Sequence, residues 1–454
     1  MIHNTWNWLR LKSAYFFANL AVAFFLVWLI APYFDNRSRH ATLFGRYSLA
    51  YFAFLLAVVT FPAIILSLAL IGQRRLNRAL FLSILAVFAT GEIVARLFFP
   101  QPDWAFGAHA NPVNYPKPYV EFTAEPGATL PAKYFQFGKL PFKVSSGAET
   151  LNELGLRDKL PPADKAGEYR IILLGGSTIW AGFPLSNSIA GQLESRFRRD
   201  GHDNVRVYNW GVPAYVSGQE LSLLAHSALD YDPDLIIVYD GANDAYLTYG
   251  GDPRPGYPFR WILHEDGLNE LRNRVAGGLP PAASLVSASR FLTAALTQFG
   301  NSRLDYYARD VQRLRASAGY GTEAWAEAVA DTYARNQRKM CTVAQGAHAK
   351  MATFLQPTVA FKRPLVGNEN SYAEGAEFQH YAADIYARMR RDVEATNSFN
   401  RGGGCYSFDV SDIFSDYPEE IYVDLVHVTN DTNAYIASRI YDRLKEAGLT
   451  PATR

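Results

Sequence analysis

From Tyr169 onward the chain alternates short apolar runs with longer amphipathic ones, and this alternation limits its fold more tightly than any other feature. The runs "YRIILLG", "VRVYNW", "DLIIVYDG", "MATFLQPTV" and "CYSFDVSDIF" read as strands, the continuously apolar ones as buried on both faces. Between and after them lie helical stretches at 186–199, 218–229, 323–347, 374–396 and 431–447, the first with Ile189, Leu193 and Phe197 on one side. Strands separated in this way predict an α/β fold with a parallel sheet, whose sites lie beyond the carboxyl ends of the strands.

A chain of 454 residues is longer than one core usually serves. Residues 13–34 and 47–71 carry no charge, and 79–99 carries only Glu92 and Arg96. Each is long enough to cross about 30 Å of hydrocarbon as a helix. Glu92 and Arg96 stand four apart, able to pair where the third span leaves the lipid or to mark a polar site within it. Arg10, Lys12, Arg74, Arg75 and Arg78 on one side outnumber Arg37, Arg39 and Arg46 on the other, which favours an inside N-terminus with the bulk of the chain outside. The expected organisation is a transmembrane unit of three helices at 1–99, an extended connector rich in Pro and aromatic residues at 100–166, and the α/β domain at 167–454. That domain carries an insertion at 245–320. The connector's aromatics predict that it packs on the α/β domain, with strand candidates at 119–123 and 142–144.

Charge is balanced, 44 Lys and Arg against 43 Asp and Glu, so nothing recommends a nucleic-acid partner. Cys341 and Cys405 lack the paired spacing of a zinc or redox motif; they are either one disulfide or two buried thiols.

The first strand breaks into Gly175-Gly176-Ser177-Thr178. This segment has neither the glycine spacing of a dinucleotide loop nor the lysine of a phosphate loop. It is left as a helix cap or as a serine presented on a sharp turn. A serine needs a base and a group to orient that base. Asp424 and His427 in "YVDLVHVTN" have a spacing that lets the carboxylate reach the imidazole Nδ1, although a surface Asp and His at a helix start look the same in sequence. Asn243 in "YDGAND" follows the third strand at the same sheet edge; it can donate to an oxyanion or simply form a turn.

Taken in order, the glycine-serine turn, the Gly-x-Asn-Asp block and the Asp-x-x-His block resemble those of the SGNH (GDSL-type) hydrolase family over about residues 169–444. The resemblance implies a flavodoxin-like three-layer α/β/α domain and serine ester hydrolysis or acyl transfer, with no cofactor and no metal. By position, Ser177 would be the nucleophile, His427 the base and Asp424 its orienter. The oxyanion donors would be the N–H groups of Ser177 and Ala214 and the side chain of Asn243. "NELGLRD", 152–158, is similar to the segment preceding the serine block in membrane-linked members. The sequence departs from the family twice. Gly176 stands where an aspartate is usual, and Ala214 where a glycine is usual, with Gly211 as the other candidate. The reading is a membrane-anchored esterase in a bacterial inner membrane, its catalytic domain on the periplasmic side, acting on acylated carbohydrate or lipid. An O-acyltransferase with the same groups, or a non-catalytic envelope-assembly protein, are the alternatives. The aromatics of the insertion fit either a substrate pocket or packing.

Overall fold

The computed structural model describes residues 115–137, 146–259, 303–373, 376–399 and 403–451, with isolated positions besides. The candidate spans at 13–34 and 47–71, nearly all of 79–99 including Arg96, the strand candidate at 142–144 and most of the insertion lie outside the described residues. No helix among the described residues is long and apolar enough to cross a membrane. The chain divides into two compact units, Met1–Ala105 with Ile262–Asp310 and Phe106–Trp261 with Val311–Arg454. The second holds the sheet.

Two small antiparallel pairs come first, β1 (Tyr115–Lys117) with β2 (Glu121–Thr123) and β3 (Thr129–Pro131) with β4 (Ala148–Thr150). Then follow β5 (Tyr169–Gly175), α1 (Ser177–Trp180), α2 (Ile189–Arg199), β6 (Val205–Gly211), α3 (Ser217–His226), β7 (Leu235–Asp240) and α4 (Ala242–Gly250). After α5 (Arg303–Ala318) come α6 (Glu323–Gly346), β8 (Lys350–Leu355), α7 (Glu369–Tyr372), α8 (Ala376–Phe399), β9 (Cys405–Asp409) and α9 (Asn430–Glu446).

The five long strands form one sheet in the order β6-β5-β7-β8-β9, every neighbouring pair parallel. Counted along the chain that is 2-1-3-4-5, the doubly wound flavodoxin order. The apolar runs sit in the middle strands because both faces are covered: every residue of β7 is buried, and in β5 every residue after Tyr169. Alternate side chains serve opposite layers. Ile171 and Leu173 pack with Leu193 and Phe197 of α2 and Ile436 and Ile440 of α9. Ile172 and Leu174 pack with Leu223 and Leu224 of α3 and Met340 and Ala344 of α6.

Two expected strands run shorter than their apolar patterns. The strand beginning at Cys405 stops at Asp409, whose carboxylate accepts the Ser411 N–H at 2.9 Å and turns the chain. The strand containing "MATFLQ" stops at Leu355, before a short 3-10 turn at Val359–Phe361. Within the stretch expected as an insertion, residues 245–250 continue α4 and α5 occupies 303–318.

Cys341 of α6 and Cys405 of β9 form a disulfide with Cα atoms 5.9 Å apart. It ties the edge strand to a helix of the covering layer across 64 residues of sequence, a loop for which chain entropy gives about 4 kcal/mol of stabilisation.

Candidate active site

The carboxyl ends of β5, β6 and β7 lie level, Gly175 opposite both Gly211 and Tyr239. The chain leaves β5 for one face and β6 for the other, so this edge is the crevice where such sheets hold ligands. Ser177 opens α1 directly after β5 and is 8% exposed. The cap is Gly176, not the serine, and the turn closes through Ile179 and Trp180 N–H groups donating to the Gly176 carbonyl, both at 3.2 Å. The serine N–H takes no part in those bonds.

Asn243, in the first turn of α4, donates from Nδ2 to the Tyr215 carbonyl at 2.7 Å. The same nitrogen lies so close to Gly176 that a Cβ built there would stand 2.4 Å from it. In this chain the amide of Asn243 occupies the room a side chain at 176 would take. Ala214, one residue before Tyr215, adopts φ 63°, the left-handed conformation that favours glycine. A glycine would hold that backbone without the strain of a Cβ. Gly211 has another duty, since a Cβ there would meet the Trp180 N at 2.6 Å.

His427 and Asp424 sit on a loop between β9 and α9. His427 Nδ1 and Asp424 Oδ2 are 2.7 Å apart, and Oδ1 accepts the N–H groups of Val426 at 2.9 Å and His427 at 2.8 Å. Burial pushes the Asp424 carboxyl up, but His427 and these hydrogen bonds outweigh it and hold the group below its ordinary pKa. The imidazole Nε2 is buried and makes no hydrogen bond within the described residues; Ser177 Oγ is not bonded to it. His427 instead lines a small cavity with Thr178, Tyr239 and Asn433. The structure thus joins acid to base, gathers Ser177, Ala214 and Asn243, and leaves the serine-to-histidine hydrogen bond unmade.

The loop carrying the base is anchored by a pair that no sequence motif announces. Lys362 Nζ and Glu369 Oε2 are 2.7 Å apart with both side chains fully buried. Glu369 Oε1 accepts the N–H groups of Ile421 at 2.9 Å and Tyr422 at 3.0 Å, and the Val423 N–H closes the loop onto the His427 carbonyl at 2.9 Å.

The "NELGLRD" segment braces the serine side. Asn152 Oδ1 accepts the N–H groups of Leu154 at 2.8 Å and Leu156 at 3.0 Å, a local turn that directs Arg157 and Asp158 inward. Arg157 donates to the Trp180 carbonyl at 2.6 Å and pairs with Glu149 at 2.7 Å. Asp158 accepts the Asn209 N–H at 3.2 Å. Phe135 and Leu151 share a core with Trp180 and Phe183.

Behind Asn243 lies a cluster of buried carboxyl groups that the sequence did not single out. Asp244 accepts the Ser217 N–H at 3.0 Å and its hydroxyl at 2.5 Å, tying α4 to α3. Asp240 accepts the Tyr333 hydroxyl at 2.8 Å and Gln337 Nε2 at 2.9 Å. Burial pushes Asp240 up to about 6 and Asp244 up to about 7. Glu220 is pushed well up by burial and then by the negative charge of Asp240.

Sheet order, the serine turn at the end of the first strand, the asparagine after the third and the Asp-His loop before the last helix now stand together in one layout. The fold is a doubly wound α/β sheet of the flavodoxin order. No family model matches the chain, and no curated protein matches it. Solved structures similar to it include the acetyl xylan esterase AlAXEase, 12% identical over 61% of this chain and 99% of that chain, with a TM-score of 0.33. Another is a GDSL-like lipase from Bacteroides thetaiotaomicron VPI-5482, 13% identical over 63% of this chain and 92% of that chain, with a TM-score of 0.32. A third is the psychrotrophic esterase EstA from Pseudoalteromonas sp., 15% identical over 62% of this chain and 98% of that chain, with a TM-score of 0.31.

Proposed function

We propose that this protein is a serine ester hydrolase of the SGNH type, anchored in the membrane by its first hundred residues. The observation that carries the reading is the 2.7 Å contact of His427 Nδ1 with Asp424 while Nε2 stays uncommitted in the cavity that Thr178, the residue after Ser177, also lines. An imidazole whose Nδ1–H is held by a carboxylate presents Nε2 as a proton acceptor.

In the proposed reaction His427 Nε2 takes the Ser177 hydroxyl proton as Oγ attacks the ester carbonyl. The resulting oxyanion accepts hydrogen bonds from the N–H groups of Ser177 and Ala214 and from Asn243 Nδ2. That amide has two N–H bonds; one is spent on the Tyr215 carbonyl and fixes the direction of the other. Collapse expels the alcohol, which takes its proton from His427, and leaves an acyl-serine. Water, deprotonated by His427, then releases the acid. The substrate would be an O-acyl group on a carbohydrate or a lipid. The disulfide between Cys341 and Cys405 supports a catalytic domain on the oxidising, extracytoplasmic side of an inner membrane, in keeping with the charge bias of the loops.

A fluorophosphonate probe on the full-length protein tests the reading. The wild type should label and Ser177→Ala should not; a folded wild type that fails to label overturns it.

A further inference from the structure

The ring of Phe137 lies flat on the imidazole of His427, with centroids 3.8 Å apart and planes 6° from parallel. Phe137 belongs to the connector, 290 positions upstream of His427 in the numbering, and nothing in the serine, asparagine or histidine blocks calls for it. On the serine-hydrolase reading given above, we infer that Phe137 is a positioning residue that sets the plane of the catalytic base.

Three features support this. The first is geometry. The Asp424 contact fixes one edge of the imidazole but still allows the ring to rock about the line through Nδ1, and a flat aromatic face at van der Waals distance removes that freedom. The direction of Nε2 is what a serine hydroxyl must meet, and the serine-to-histidine bond has yet to form in this structure.

The second is the mounting of Phe137. The Tyr134 carbonyl accepts Trp180 Nε1–H at 2.8 Å, and the Phe135 carbonyl accepts the Gly182 N–H at 2.9 Å. Arg157 lies over the Phe135 ring at 4.2 Å while holding the Trp180 carbonyl. The segment bearing Phe137 is therefore bolted to the residues immediately after Ser177. One brace thus locates the nucleophile's turn and the ring that orients the base.

The third is electrostatic. When His427 holds the serine's proton it becomes a cation, and an aromatic face attracts a cation stacked at this distance. An aliphatic side chain of similar bulk offers the packing without that attraction.

The test uses the full-length protein in detergent, a nitrophenyl ester and the fluorophosphonate probe. Phe137→Ala should lower kcat and the labelling rate between about tenfold and 10²-fold, the scale of a misdirected catalytic group, with KM little changed. Phe137→Tyr should restore most of the rate. Phe137→Leu, which keeps the bulk and guards against a folding defect, should stay well below Tyr. Equal rates for wild type and Ala, a Leu variant as active as Tyr, or a change confined to KM would each overturn the inference. Those outcomes leave the hydrolase reading intact, which fails separately if the wild type does not label at Ser177.

Discussion

Asn243 Nδ2 donates to the Tyr215 carbonyl at 2.7 Å while standing where a side chain on Gly176 would have to go. The three blocks of the site are interlocked at this point, the amide from α4 being wedged between the turn after β5 and the loop after β6. Removing one oxyanion donor typically costs 10²–10³ in kcat, so Asn243→Ala should lose about that factor with KM nearly unchanged. Gly176→Ala should lose part of it with every proposed donor residue still in the sequence, because its Cβ displaces the amide of Asn243. Steady-state kinetics on a soluble ester decide both; a Gly176→Ala variant with full activity would remove Asn243 from the oxyanion role.

Ala214 holds φ 63° despite its Cβ, which costs about 1–2 kcal/mol relative to a right-handed residue. Glycine relieves that strain but loses about 0.4–1 kcal/mol through the freer unfolded chain. Ala214→Gly should therefore be neutral or stabilising by up to about 1 kcal/mol, read as an unchanged or slightly raised Tm. Turnover should persist, since the N–H proposed as donor survives. Destabilisation by more than about 1 kcal/mol would show that the loop does not hold this conformation.

Much of this layout can be read from the sequence, and the reasons are local. The β5 and β7 runs are short, continuously apolar and rich in isoleucine, leucine and valine, the pattern of strands covered on both faces of a sheet. Asp424 and His427 are three residues apart, so a single turn suffices to bring them together, and it does. Phe137 on His427, and Glu369 beneath the Ile421–Tyr422 backbone, were illegible because each pairing spans dozens to hundreds of residues and no sequence pattern links the two partners. The shortened β9 fails for a related reason: the cue to its end is the Ser411 N–H donating to the Asp409 carboxylate, which apolar patterning does not register.

The buried Lys362–Glu369 pair should be costly to break from one side only. Glu369→Gln leaves an ammonium without its counter-charge in a site with no exposure, a loss expected at about 3–5 kcal/mol. The double variant Lys362→Met with Glu369→Gln removes the stranded charge while keeping an oxygen for the Ile421 and Tyr422 N–H groups. It should recover a substantial part of the loss in urea unfolding. Equal destabilisation of single and double variants would mean that the N–H acceptors, and not the charge pair, hold the histidine loop in place.

The carboxyl groups behind Asn243 should set the slope of stability against pH. Their folded pKa values, about 6 for Asp240 and about 7 for Asp244, lie above those of an unfolded chain, about 3.9. Below that unfolded value both states are protonated and these groups favour neither. As pH climbs from about 4 to 7 the unfolded chain gives up its protons first, so the contribution turns against folding and levels off once the folded groups have ionised. Tm of the wild type should therefore carry a downward component across this window. Asp424 works oppositely, its lowered pKa adding stability at neutral pH that is lost only in stronger acid. Asp244→Asn retains an acceptor for the Ser217 hydroxyl and does not titrate, so it should flatten the decline between pH 4 and 7 without altering the steep loss below it. Thermal melts at half-unit pH intervals separate the two contributions, and an Asp244→Asn profile parallel to the wild type would mean that Asp244 is already ionised throughout this range.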